Sequence, residues 1–245
     1  MRGFFNLITV FISGAVEFPG TYTLKDDTSV QDLYQLIGGF KNQAYLRGIA
    51  LTREVIRERQ IKSLEASKAY LDEVILTSTQ KGEDIGDVSI VKALSETIDP
   101  ADLGRLAGDF SPKSQASINT ILFDGDTLIV PKNPNTINVF GEVLNPLAFE
   151  FSRDTSVRSA IDNAGGYQQY ADKSRVFIIT ASGITKKVNR NIFTGSKITL
   201  EPGDTIVVPR KIITNNPGID ALIPITTILS DLAFSAAALD NLRSN

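Results

Sequence analysis

Hydrophobic and polar positions near the start of the chain follow a short period. Residues 10–15 alternate loosely between apolar and polar, which predicts a strand, and the run stops at Glu17-Phe18-Pro19-Gly20. Pro-Gly is a turn signal. Residues 21–24 are β-prone, so the two runs form a hairpin. The period then lengthens. Val30, Leu33, Leu36 and Ile37 recur at helical spacing and predict one buried stripe. Thr28, with Gln31 three residues on, has the pattern of a capping box that opens this helix. Gly38 stands where a helix end calls for left-handed backbone. Residues 48–53 return to a strand pattern.

The same succession occurs a second time at a constant spacing. Gly14 recurs as Gly141, Pro19 as Pro146, and Asp27-Thr28-Ser29-Val30 as Asp154-Thr155-Ser156-Val157. Gly38-Gly39 recurs as Gly165-Gly166. The second copy therefore predicts strands over 137–141 and 147–151, a helix over 155–164, and strands over 175–180 and 184–188. A second repeated stretch closes each copy: Gly125-Asp126-Thr127 runs to Pro131, and Gly203-Asp204-Thr205 runs to Pro209. Each leads into an apolar strand that a proline ends, because proline cannot donate to a ladder. Such a long-period repeat marks a duplicated structural unit. The expected fold is α+β: two tandem grasp-like domains, at 8–132 and 136–211, each with one helix on one sheet face. The linker Lys132-Asn133-Pro134-Asn135 is short and restricts the angle between them.

The first copy is longer by an insertion over about 54–106. Residues 54–76 contain no Gly or Pro and are rich in helix formers. Glu58 and Lys62 form a favourable helical pair. Ile61, Leu64, Leu71 and Ile75 give a narrow apolar seam, which packs on a second helix or on a partner. Residues 88–95 and 102–106 read as shorter helical pieces. The tail differs from both copies. After a break at Asn215-Asn216-Pro217-Gly218, residues 219–243 read as an amphipathic helix. Its polar residues argue against a lone lipid-surrounded span. It lines a barrel of helices, lies on a membrane surface, or docks on its own domain.

Composition removes several chemistries. The 245 residues include no cysteine and no histidine, and the net charge is −3. Thiol nucleophiles, the usual Ser-His-Asp triad and sulfur-imidazole zinc sites are thus excluded. No basic block points to nucleic acid. Glu83, Asp84 and Asp87, like the acids of Asp124-Gly125-Asp126, lack the ligand order of a calcium loop and read as solvated turn acids. Gly38-Gly39 follows a helix instead of preceding one and lacks the Lys-Ser/Thr of a phosphate loop, so it reads as a turn. No pair of carboxylates stands out for glycoside hydrolysis. No catalytic residue, metal site or cofactor is therefore expected. Tyr167 matches Phe40 and reads as core, which leaves Tyr170 as the freer aromatic for stacking on a sugar face. The first residues read as lead-in to a strand and not as a signal peptide, so the chain reads as a piece of a longer precursor.

The residues Gly14-x-Val16-x-x-Pro19-Gly20, Asp27-Thr28-Ser29-Val30, Gly38-Gly39-Phe40 and Gly125-Asp126-Thr127-Leu128-Ile129-Val130-Pro131-Lys132 resemble the soluble-ligand-binding β-grasp (SLBB) domain. In tandem they are similar to the bacterial outer-membrane polysaccharide export proteins. The resemblance implies a homo-oligomeric ring in the periplasm and outer membrane that passes capsular or exopolysaccharide. It also implies an inner-membrane polysaccharide co-polymerase as partner and membrane contact through the tail helix. The different class that stays open is a stand-alone periplasmic module for a small sugar.

Overall fold

The computed structural model describes residues 6–81, 103–188 and 198–210. The readings for Glu83, Asp84 and Asp87, for 88–95 and for the tail helix over 219–243 lie outside the described residues.

In the first copy, β1 (Leu7–Gly14) and β2 (Gly20–Lys25) form the hairpin, followed by α1 (Val30–Leu36). A 3-10 turn (Leu46–Gly48) leads to β3 (Ala50–Thr52), then to α2 (Glu54–Lys81). β4 (Arg105–Leu106), α3 (Gln115–Asn119) and β5 (Thr127–Val130) complete the copy. The second copy contains β6 (Thr136–Gly141), β7 (Leu147–Glu150), α4 (Val157–Asn163), β8 (Phe177–Ile179), β9 (Thr185–Lys187) and β10 (Thr205–Val208).

The two sheets have the same topology. The first is ordered β2-β1-β5-β3-β4 and the second β7-β6-β10-β8-β9. In each, the first and last long strands, β1 with β5 and β6 with β10, pair in parallel, and the other neighbours are antiparallel. Each sheet has its own core. On β1, Ile8, Val10 and Ile12 point inward against Val30, Leu33, Tyr34 and Ile37 of the α1 segment. In the second copy Ile137, Val139, Ile206 and Val208 meet Ala160, Ile161 and Ala164. Full burial of an aliphatic side chain contributes about 1.5–3 kcal/mol, so each strip of side chains is enough to fix its helix.

Three local expectations are corrected. Leu36 is 52% exposed, and Tyr34 takes its place in the stripe, with its hydroxyl donating to the Phe110 carbonyl. The helix caps fall one residue later than Thr28 and Thr155. Ser29 caps α1, accepting from the Asp32 N–H at 3.1 Å while Asp32 Oδ2 accepts from the Ser29 N–H. Ser156 caps α4 in the same reciprocal way with Ser159. A serine followed by an acid or hydroxyl at N3 fits both helix starts better than Thr28 with Gln31 does. Ser29→Ala or Ser156→Ala should lower stability by about 1 kcal/mol each in urea unfolding, with Thr28→Ala and Thr155→Ala near neutral. Finally, Arg105 and Leu106 are not helical. They form β4 by pairing with Thr52 and Leu51 on the open side of β3.

α2 leaves directly from the end of β3. Its first turns are fastened to the returning chain: Arg53 N–H donates to the Gly104 carbonyl at 2.9 Å, and Gln60 Oε1 accepts from the Gly104 N–H at 2.6 Å. Leu64 is buried and Ile61 half-buried, so the described part of the predicted seam faces protein.

Candidate functional site

Each copy ends its hairpin strand at a glycine that crowds its parallel neighbour. A Cβ on Gly14 would stand 2.0 Å from the Val130 carbonyl oxygen, and one on Gly141 would stand 2.1 Å from that of Val208. Both backbones have positive φ, 94° and 93°. The hairpin turns, which carry Pro19 and Pro146, then fold back onto the Gly-Gly pairs. Glu17 N–H donates to Gly39, and Leu144 N–H donates to Gly166. The Phe18 ring lies over Gly38, and Leu144 lies over Gly165. These glycines are tied up by the hairpin turns, as a structural turn requires.

The Gly-Asp turns hold what the sequence reading missed. Asp126 and Asp204 are not solvated: their residues are 0% and 3% exposed. Asp126 accepts from the Phe123 N–H at 2.9 Å and takes Arg53 in a fork, with Nε to Oδ1 at 2.9 Å and Nη2 to Oδ2 at 2.8 Å. Arg53 also lies 3.9 Å from the Phe123 ring centroid. Asp204 likewise accepts from the Glu201 N–H at 3.0 Å and the Ala181 N–H at 3.3 Å, but has no arginine among the described residues, since Thr180 stands where Arg53 does in the first copy. Burial pushes the Asp204 carboxyl up to about 6. An acid kept in both copies directly before the closing strand is the signal that could have identified the pair. Gly125 opens the first turn with nothing near its Cβ position, while Gly203 faces Ala181, Pro134 and Tyr45.

The second turn therefore sits at the junction of the two copies. Arg47 Nη1 meets Glu201 Oε1 at 2.9 Å, Gly108 N–H donates to the Ser182 carbonyl, and Arg105 Nη2 donates to the Ala181 carbonyl.

Tyr170 is 43% exposed at the far end of the second sheet. The Arg210 guanidinium lies 4.9 Å from its ring centroid, and Arg210 faces Glu142 at 3.9 Å. Beside it, Arg175 pairs with Asp172 at 2.6 Å, and the Ser174 hydroxyl, ahead of Arg175, holds the Asp172 carboxyl down at about 2. Tyr167 is half-buried, packed on the second core, with Lys173 Nζ at 4.9 Å. An exposed ring beside an arginine can stack on a sugar and receive an acidic substituent. Among the described residues no cluster of acids is placed to hold a metal ion, and no helix is long and apolar enough to cross a membrane.

Two five-stranded sheets of the same topology, each closed by a buried Gly-Asp turn, define a tandem module of mixed α and β structure. The SLBB domain model matches residues 9–61 and 136–186, one match in each copy, so each copy is similar to an SLBB domain. Two proteins of Escherichia coli, both named polysialic acid transport protein KpsD, are 25% identical to it over 200 residues. That alignment covers 81% of this chain and 34% of each relative, so the chain spans about a third of the length of the curated relatives it matches.

Proposed function

We propose that this chain is a non-catalytic part of a channel that exports capsular or exopolysaccharide through the periplasm and outer membrane. The observation that carries this reading is the paired SLBB match, joined to 25% identity over 200 residues with the polysialic acid transport proteins. The two domains, at 8–132 and 136–211, are building blocks of a ring-shaped homo-oligomer around the polymer. The work is positioning and passage, so it requires no general acid or base. The insertion, which begins with α2, contacts a neighbouring subunit or an inner-membrane polysaccharide co-polymerase. The segment 219–243 contacts the outer membrane.

Deleting residues 54–76 in a strain that makes the polymer should reduce both export and assembly; unchanged export with intact assembly would remove the partner role of α2. Sedimentation of the full-length protein should give an oligomer. A monomer with tight affinity for one free small sugar would instead identify a stand-alone binding module. Within the export reading, Tyr170 is the sugar-stacking side chain. Tyr170→Ala should weaken retention of a polymer fragment about five- to tenfold, the loss of one stacking contact. Equal retention by the variant would clear Tyr170 of that role.

A further inference from the structure

All the buried side-chain donors that lack a partner among the described residues lie at the junction between the two sheets. They are the Tyr45 hydroxyl and the Nε and Nη1 of Arg105, and all come from the first copy. Arg105 is 6% exposed, and Tyr45 is 9% exposed. A buried guanidinium with one carbonyl for a partner is costly, because its desolvation is poorly compensated. Burial brings Arg105 down to about 10 and holds the Tyr45 hydroxyl above its ordinary value. Across the junction in the second copy is Asp204, the buried acid to which no described arginine of its own domain is bonded.

The two unmatched charges meet on a single residue. Asp204 Oδ1 accepts from the N–H of Ala181, and Arg105 donates to the carbonyl of the same Ala181. Gly183 packs closely on the guanidinium: a Cβ there would crowd Arg105 Nε at 3.1 Å, so only a glycine leaves the side chain its place. The first copy shows the arrangement this acid accepts when an arginine is available: the fork of Arg53 on Asp126. The groups facing Asp204 are Tyr45 from the first copy, with Glu201 and Lys186 from its own, and Arg47 holds Glu201.

We propose that Arg105 is a cross-domain latch that swings from Ala181 onto Asp204, supplying from the other domain the arginine that Asp204 lacks among the described residues and locking the angle between the two domains. The arrangement in the structure, with Arg105 on the Ala181 carbonyl, is the unlatched one. Latching satisfies both buried charges at once, whereas the unlatched domains are joined by the exposed Arg47–Glu201 pair and by single bonds to the Ser182 and Ala181 carbonyls, which a change of angle has to break. In a channel built from such subunits, the latch sets the spacing of successive domains.

The cysteine-free chain permits a direct test with spin labels at Thr23→Cys and Gln169→Cys, both exposed positions. The wild type should give two interdomain distances. Arg105→Gln and Asp204→Asn should each lose the latched one, and the double variant should match either single change. Thr180→Arg, which offers Asp204 an arginine from its own domain, should lose it as well, and it leaves the Arg105 side intact if Arg105→Gln does not fold. Carboxyl titration by NMR should place Asp204 at least about one unit lower in the wild type than in Arg105→Gln. One distance unaltered by these changes, or an Asp204 titration indifferent to Arg105, would overturn the latch.

Discussion

Gly141→Ala is expected to lower the unfolding free energy by about 3–5 kcal/mol, a large share of the stability of an ordinary domain. The added Cβ would fall 2.1 Å from the Val208 carbonyl oxygen and 2.9 Å from its carbon. Both are backbone atoms of the strand paired in parallel with β6, so no side chain can turn aside. That same carbonyl accepts from the Glu142 N–H at 2.8 Å, a bond that fixes the turn out of β6. The positive φ adds about 1–2 kcal/mol for any residue with a Cβ. Gly14→Ala should act alike, since its Cβ would approach Val130 and the Ala15 N–H bonds the same oxygen at 2.7 Å. Gly39 and Gly166 supply the control. They also have positive φ but open space around a Cβ, so their alanine variants should show only the backbone strain, about 1–2 kcal/mol. Urea unfolding followed by circular dichroism separates the two classes; equal losses at Gly141 and Gly166 would mean that close strand approach is not what fixes this position.

Asp126→Ala should cost about 3–5 kcal/mol, the usual consequence of removing one partner from a buried ion pair. Its carboxylate is fully shielded, while the Arg53 side chain is 14% exposed. The substitution removes both arms of the fork and the acceptor for the Phe123 N–H, leaving a largely buried guanidinium on the Ile121 carbonyl alone. Arg53→Met should cost a comparable amount, because Asp126 is then a buried anion held by one backbone donor. The double change Arg53→Met with Asp126→Leu should recover much of the loss, since replacing a buried pair by apolar groups is often near neutral. A double variant as damaged as the sum of the singles would show that the two side chains act independently.

Much of the fold was legible because the chain repeats itself. Val10 and Ile12 alternate with outward residues as the strand period demands, and Val30, Leu33 and Ile37 recur at helical spacing. Gly38 and Gly165 mark helix ends because left-handed backbone there favours glycine. What escaped depends on contacts distant in sequence. The Asp126 turn reads as solvent-facing until Arg53 is brought onto it from 73 residues away. Strand β4 has two residues, too few for any period, and exists only because β3 offers an open edge. The helix starts slipped by one residue because Thr28 and Ser29 are both acceptable caps, and the choice rests on which hydroxyl reaches the third N–H. Arg105 gave no signal at all, because its significance arises from Thr180 standing where the first copy has Arg53.

In the proposed export role, the duplicated scaffold carries polymer outward without altering it. The most direct measurement is the amount of polysaccharide at the surface of a producing cell after in-frame removal of this chain, with and without its restoration. Surface polymer should fall away while unexported polymer accumulates inside, and the intact chain should reverse both. Undiminished surface polymer in the deleted cell would contradict a role in export.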